Sequence, residues 1–419
     1  MASLSAIKSV LSQRNTRIFY GCSAFSWTGL WIQQIATDWL AWELTHSALW
    51  VGILAFCNLG PSVIVSPFAG ALSDRMDRLR LTVVTQLVTA AHAATLVVLT
   101  ATGVIRIEHM VVLQILLGIS QSFAQPARQS LVPGMVSRAD LPGAVALNSL
   151  TYNIARSVGP GIGGVLVATW GVIPGMVVNC CAYLIASVTM PMLRLPPEAR
   201  RGHPPTGRSV MREAMDGIVY VARHRGMAPL FIYAWLVGIL ARSVPEMLSP
   251  YVAGLWGRGP EGLAILATTM GVAALAGGMS IAVRGRLRGL SKLTLGAGLV
   301  MSIGTGLFVA THSFPFAVVC AVALGAAGTV HGISAQTLLQ SGTSGHMLGR
   351  VLSLWGMITR AAPAIGALMY GAATEIAGLQ VPVIIGAALA TLGAVWAWRQ
   401  LPRMVRGLER ATPARVAAE

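Results

Sequence analysis

Two carboxylates, Asp38 and Glu246, lie within long apolar stretches of the sequence. An ionisable group in hydrocarbon costs about 2.5–3.5 kcal/mol on insertion scales and is retained mainly for function. A carboxylate partly withdrawn from water can take up and release a proton near neutral pH, so both are candidate proton carriers. Trp27, Trp31, Gln34 and Asp38 are spaced by threes and fours, which puts them on one helical face. Trp235, Ile239, Arg242 and Glu246 repeat that stripe. Trp27, Trp31 and Trp235 offer faces on which an aromatic or cationic ligand could stack. Glu246 also stands four residues from Arg242, where an ion pair would occupy it, and Asp38 could simply sit at the membrane interface. Gln114, Gln121 and Gln125 form a row of amides that either binds polar substrate groups or ties helices together. Arg156 and Arg360 hold comparable places in two proline-containing stretches, where a backbone carbonyl or a carboxylate could satisfy them. His92 and His331 either titrate or serve as packing donors.

Positioning these residues is a task for membrane helices. Of 419 residues, 55% are hydrophobic and 11% charged, against about 25% charged in soluble domains. So few charges cannot cover a water-soluble surface. The formal charge of +16 would suggest a polyanion partner in a soluble chain, but here the basic residues fall between apolar runs, which excludes a nucleic-acid binder. The five cysteines lie inside apolar stretches, with no disulfide framework and no metal-ligand spacing. No phosphate-binding loop occurs, so ATP is not the expected energy source and an ion gradient is. No Ser/His/Asp set or paired catalytic carboxylates share one membrane depth, so an enzyme is not expected, and neither is a cofactor. The first residues lack the pattern of a removable signal peptide, leaving the first span to direct targeting.

Stretches of about 20 apolar residues, the length that crosses hydrocarbon as a helix, number twelve: 18–42, 47–72, 81–102, 108–128, 142–168, 172–194, 227–252, 261–283, 290–311, 314–338, 348–374 and 380–400. The expectation is an all-α membrane protein with two six-helix halves, 1–194 and 227–400. A linker at 195–226 contains an amphipathic helix near Ser209–His224, and a basic tail occupies 401–419. With a cytoplasmic N-terminus, only Arg106 and Arg258 fall outside, and Arg156, Arg242 and Arg360 fall within spans, which predicts that both termini are cytoplasmic. Trp27, Gln34 and Asp38 recur at a common offset as Trp235, Arg242 and Glu246, and Gly70 and Gly118 recur as Gly277 and Gly325. PGIGGVL (160–166) recurs as PAIGALM (363–369). Pseudo-symmetric halves of this kind commonly enclose a central site that opens alternately to each side.

Between spans 2 and 3 stands Gly70-Ala-Leu-Ser-Asp74-Arg75-Met-Asp77-Arg78-Leu-Arg80. Gly70 permits close helix approach. Asp74 can face a helix N-terminus, and Arg75 and Arg78 can form a breakable charge cluster, although bare inside-facing anchors would also satisfy the charge asymmetry. In span 5, Pro160 removes a backbone donor and bends the helix, while Gly159, Gly163 and Gly164 allow tight packing at the bend.

The first stretch resembles the loop 2-3 signature of the major facilitator superfamily, matched at Gly70, Leu72, Asp74, Arg75 and Arg78. Ser73, Asp77 and Leu79 depart from it, and the second half has Ile281 where an Asp would fall. Span 5 is similar to the superfamily's antiporter motif, with Ala155 in place of its first glycine. WLAWELTHSALWVGIL (39–54), PARQSLVP (126–133) and the run from Leu141 to Arg156 resemble the twelve-span exporters related to the enterobactin exporter and macrolide-efflux proteins. The resemblance implies the major facilitator fold and a cytoplasmic gate at Gly70, Asp74, Arg75 and Arg78. It also implies a cavity lined by the first and fourth helices of each half, hence by Trp27, Trp31, Gln34, Gln114, Gln121, Trp235 and Arg242. The implied activity is export of a hydrophobic or amphipathic small molecule, drug- or siderophore-like, in exchange for protons, by a monomer in the bacterial inner membrane. Two rivals stay open: a lipid or lysolipid translocator, which labelled lysolipid would reveal, and a non-transporting receptor or scaffold, which should tolerate Gly159→Leu.

Overall fold

A backbone surrounded by lipid must satisfy its own hydrogen bonds, which favours helices wherever this chain is apolar. The computed structural model describes residues 9–73, 76–196, 210–284, 286–345 and 347–409, and among these no strand occurs. The long helices are α1 (Arg14–Thr45), α2 (Ala48–Ser73), α3 (Arg78–Ala101), α4 (Ile107–Leu131), α5 (Leu141–Trp170) and α6 (Ile173–Thr189). After them come α7 (Val210–Arg223), α8 (Met227–Leu240), α9 (Leu248–Trp256), α10 (Pro260–Arg284), α11 (Leu290–Ala310), α12 (Phe314–Gly342), α13 (Leu348–Ala377), α14 (Val381–Arg399) and the short α15 (Leu401–Met404).

Local chemistry sets the helix ends. The Asp77 side chain accepts from the N–H groups of Leu79 and Arg80 at 2.9 and 3.0 Å, capping α3. The acid that breaks the loop signature thus has a structural task. Gly171 and Gly378, at φ 79° and 74°, end α5 and α13, a backbone region open to glycine without strain.

Among the described residues, ten helical segments are long and apolar enough to cross a membrane, with Met227–Trp256 counted as one. The other two of the expected twelve stretches are the long helices α1 and α5. They fall below that apolarity because they carry Gln33, Gln34, Asp38 and Glu43, and Asn148, Tyr152, Asn153 and Arg156. These two helices bear the candidates Trp27, Trp31, Gln34, Asp38, Gly159, Pro160, Gly163 and Gly164. Exposed apolar side chains such as Val84, Leu87, Val98, Val165 and Val188 supply lipid-facing surface.

One expected span is not a continuous helix. Helix α8 ends at Leu240, a tight turn covers Val244–Met247, and α9 resumes at Leu248. Pro245 has no N–H to give to Ala241 and crowds that turn, so apolar periodicity continues while the helix does not. Arg242 and Glu246 therefore sit in the break rather than on an unbroken stripe with Trp235.

Helix contacts divide the chain into two compact units: Met1–His46, Cys57–Gly207 and Gly259–Thr268 in one, and Ser47–Phe56, Arg208–Arg258 and Thr269–Glu419 in the other. Inside the first, α1 packs on α5 and α6, and α3 on α4 and α6. Inside the second, α8 packs on α13 and α14, and α11 on α12 and α14. The pairings correspond one to one, and so do their glycines. A Cβ on Gly118 of α4 would lie 2.2 Å from the Asn58 carbonyl oxygen of α2, and one on Gly325 of α12 would lie 2.1 Å from that of Met270 in α10. Likewise Gly163 of α5 rests on the Ile32 carbonyl and Gly366 of α13 on that of Ile239. Backbone-to-backbone approach of this kind is how membrane helices gain packing without side-chain bulk.

Helix α7 is amphipathic, as its sequence suggests, and lies along the start of α13, with Asp216 3.3 Å from Arg350. Beyond α15, the Glu409 carboxylate accepts from the N–H groups of Gly289 and Ser291, both at 2.7 Å, and so caps α11.

Candidate functional site

In the first unit the site is built from three helices. Tyr20 of α1 donates to the Ala144 carbonyl of α5 at 2.7 Å, and Gly159 leaves room for Trp31, whose Cβ is 2.6 Å from where a glycine Cβ would stand. These contacts bring the polar face of α1 against α5. Trp27 meets the Tyr152 ring edge-on at 5.3 Å, and Trp31 meets the same ring at 6.4 Å. Helix α4 contributes Arg128, whose guanidinium lies 4.5 Å from the Trp27 ring centre and donates to Ser23 Oγ at 2.6 Å. On the other side of the cluster, the Arg156 guanidinium lies 5.9 Å from the Trp31 ring.

Arg128 is 5% exposed, its Nε has no partner, and among the described residues no carboxylate pairs with it. The result is an aromatic cluster flanked by two cations in a membrane-spanning region. Further along α1, Gln34 Nε2 donates to Asp38 Oδ1 at 3.0 Å. One turn on, Trp39 Nε1 donates to Glu43 at 2.6 Å.

The amide row on α4 divides. Gln114 is buried and accepts from Asn58 Nδ2 at 2.9 Å, which ties α4 to α2, whereas Gln121 is half-buried. Arg128 continues the same face, seven residues beyond Gln121. That spacing was available to reveal it. Counted among the basic residues at the end of a span, it reads instead as an anchor. Tyr152 carries no such signal, because only the meeting of α1 with α5 gives it a role.

In the second unit, Arg242, Trp355, His331 and Met301 line a small cavity together with Ala234, Val237, Gly238 and Pro363. The buried His331 faces the Thr294 carbonyl through Nδ1 at 3.0 Å. Trp235, one turn before the α8 break, is half-buried and does not line this cavity.

The span 5 motif has a direct steric basis. Pro160 lies inside α5. Gly163 allows contact with α1, and a Cβ on Gly164 would stand 1.9 Å from Ala264 Cβ at the start of α10. Of the loop signature, Asp74 and Arg75 lie outside the described residues. Gly70 falls in the last turn of α2, and Arg78 opens α3, directing Nη1 at the Ser130 carbonyl at 3.4 Å.

Residues 5–412 match the transmembrane secretion effector family. The staphyloferrin A transporter of Staphylococcus aureus (strain NCTC 8325 / PS 47) is 33% identical over 172 residues, which cover 41% of this chain and 43% of that protein, less than half its length. The multidrug efflux pump Tap of Mycolicibacterium fortuitum is 26% identical over 378 residues, 86% of this chain and 89% of the pump. Among solved structures, a bacterial homologue of the human lysosomal transporter Spinster, inward-facing and unoccupied, superposes with a TM-score of 0.74 at 12% identity. It covers 98% of this chain and 100% of that one, a likeness of fold. With the helical membrane fold and a match over nearly its whole length, the chain belongs to the transmembrane secretion effector family, a branch of the major facilitator superfamily whose members include drug and siderophore exporters.

Proposed function

We propose that the protein is a secondary active exporter with twelve spans in two pseudo-symmetric six-helix halves, 1–194 and 227–400. It would carry a hydrophobic or amphipathic small molecule out of a bacterial cell by alternating access and proton antiport. The observation that carries this reading is the polar face of α1 and α5: Gln34, Asp38, Tyr152 and Arg156 interrupt helices that would otherwise be apolar, and such residues in a membrane mark a transport path. Its likeness to a multidrug efflux pump supports the direction, and its likeness to that pump and to a staphyloferrin A transporter supports a small-molecule cargo. In this reading Asp38 exchanges a proton for substrate, with Glu246 as a second carrier. Asp74, Arg75 and Arg78 hold the cytoplasmic mouth shut. The protein works as a monomer in the inner membrane, with both termini in the cytoplasm.

Asp38→Asn tests it. In inverted vesicles the variant should insert and fold as the wild type does, yet lose substrate-dependent proton movement altogether. Unchanged coupling removes Asp38 from the mechanism.

A further inference from the structure

Two arginines stand in the membrane-spanning part of the first unit without an acid beside them. Arg156, sixteen residues into α5, makes no ion pair or hydrogen bond among the described residues, and its guanidinium lies 5.9 Å from the Trp31 ring. It is half-buried rather than enclosed. Ile154, Val158 and Val165 are exposed on one side of α5, and at 100° per residue Arg156 points to the opposite side, away from that apolar stripe. Tyr152 and Gly159 share the side of Arg156 and meet Trp27 and Trp31 there. An arginine so placed is retained against an insertion penalty and calls for an anion.

The surroundings set the sign of the ligand. The two tryptophans could in principle receive a cation, but Arg128 already stands over Trp27 at 4.5 Å and Arg156 lies beside Trp31. A further cation would enter next to two like charges in a region of low dielectric. Asp38 offsets them only weakly at the rings: it lies seven residues beyond Trp31, about 10 Å along the helix axis, whereas each guanidinium lies within 6 Å of a tryptophan ring. A negatively charged group meets no such repulsion. It can take both forks of one guanidinium, the strongest hydrogen bonds available to it.

Resting on the export reading above, we propose that the substrate is acidic: a flat apolar molecule bearing a carboxylate or a comparable anionic oxygen group. Arg156 binds the anion, Trp31 and Tyr152 hold the flat body, and Arg128 supplies the standing positive potential behind Trp27.

Two probes of one shape and opposite charge test this on the full-length protein in lipid nanodiscs: 1-pyrenebutyrate and 4-(1-pyrenyl)butyltrimethylammonium, each followed by energy transfer from tryptophan. The wild type should bind the acid at least about tenfold more tightly than the cation. Arg156→Gln should weaken the acid roughly ten- to hundredfold, the range for loss of a charge-assisted hydrogen bond, while leaving the cation unchanged or tighter. Arg156→Lys should keep most of the affinity for the acid. A merely structural arginine would, on removal, weaken both probes alike. That result, a preference for the cation in the wild type, or binding of neither probe overturns the proposal. Proton-driven uptake of the same probes into inverted vesicles separates the two readings. Movement of the cation alone keeps the exporter and discards the acidic substrate. Binding of the acid through Arg156 with no movement of it keeps the charge assignment and discards the exporter.

Discussion

Placing a single methyl group on Gly118 tests whether helix contact in this protein rests on backbone meeting backbone. The added Cβ would stand 2.2 Å from the Asn58 carbonyl oxygen and 3.1 Å from its carbonyl carbon. A carbon and a carbonyl oxygen in close contact rest about 3.3 Å apart, so α2 and α4 must separate by about 1 Å. Neither atom is the end of a flexible side chain, and no rotamer change relieves the clash. Overpacking of this kind costs about 1–3 kcal/mol, and a rigid backbone neighbour puts Gly118→Ala near the upper end. Alanine in place of glycine inside a helix returns up to about 1 kcal/mol, leaving a net loss of roughly 2 kcal/mol.

Gly325→Ala, 2.1 Å from the Met270 carbonyl oxygen, should lose as much. Gly21→Ala in α1 meets nothing within 4 Å and should be neutral or slightly stabilising. The two clashing sites lie in separate units, so the double variant should lose the sum. Thermal unfolding of the purified protein in one detergent measures all four. Equal melting of Gly118→Ala and Gly21→Ala would refute the reasoning, and so would a double variant no worse than either single one.

Arg128→Met replaces a buried, acid-free cation by an apolar chain of similar length and should leave thermal stability unchanged or raise it by about 1 kcal/mol. A loss above about 2 kcal/mol would mean that the charge holds the fold together. Glu409→Ala strips the acceptor from the N–H groups of Gly289 and Ser291 and should cost about 1–3 kcal/mol. Hydrogen exchange should speed up at those two amides while the middle of α11 keeps its protection. Uniform acceleration along α11 would argue against a local cap.

Much of this architecture could be read from residue order alone, because lipid allows few solutions. Apolar length located the helices, and the recurrence of Gly118 as Gly325 and of the 160–166 run as 363–369 pointed to contacts that take the same form in both units. What escaped depended on the third dimension or on one competing residue. The apolar pattern runs unbroken past Leu240, so Pro245 alone signalled that Arg242 and Glu246 lie in a turn. The tryptophans looked as open to a cationic ligand as to an aromatic one because the sequence does not tell that Arg128 and Arg156 come beside their rings. Gln114 stood between a substrate contact and a tie between helices because its partner, Asn58, lies on another helix. Asp77 looked like a flaw in the loop signature until its place at the start of α3 made it a cap.

The two helices that fall short of spanning apolarity, α1 and α5, are packed on each other. Each carries several polar side chains, and paired they hide Tyr20, Trp27 and Gly163 from acyl chains. The expected consequence is that α1, made first, reaches its final place only once residues 141–170 have been translated. A nascent chain halted before Leu141 should leave Cys22 of α1 open to a membrane-impermeant thiol reagent, and one released after Trp170 should not.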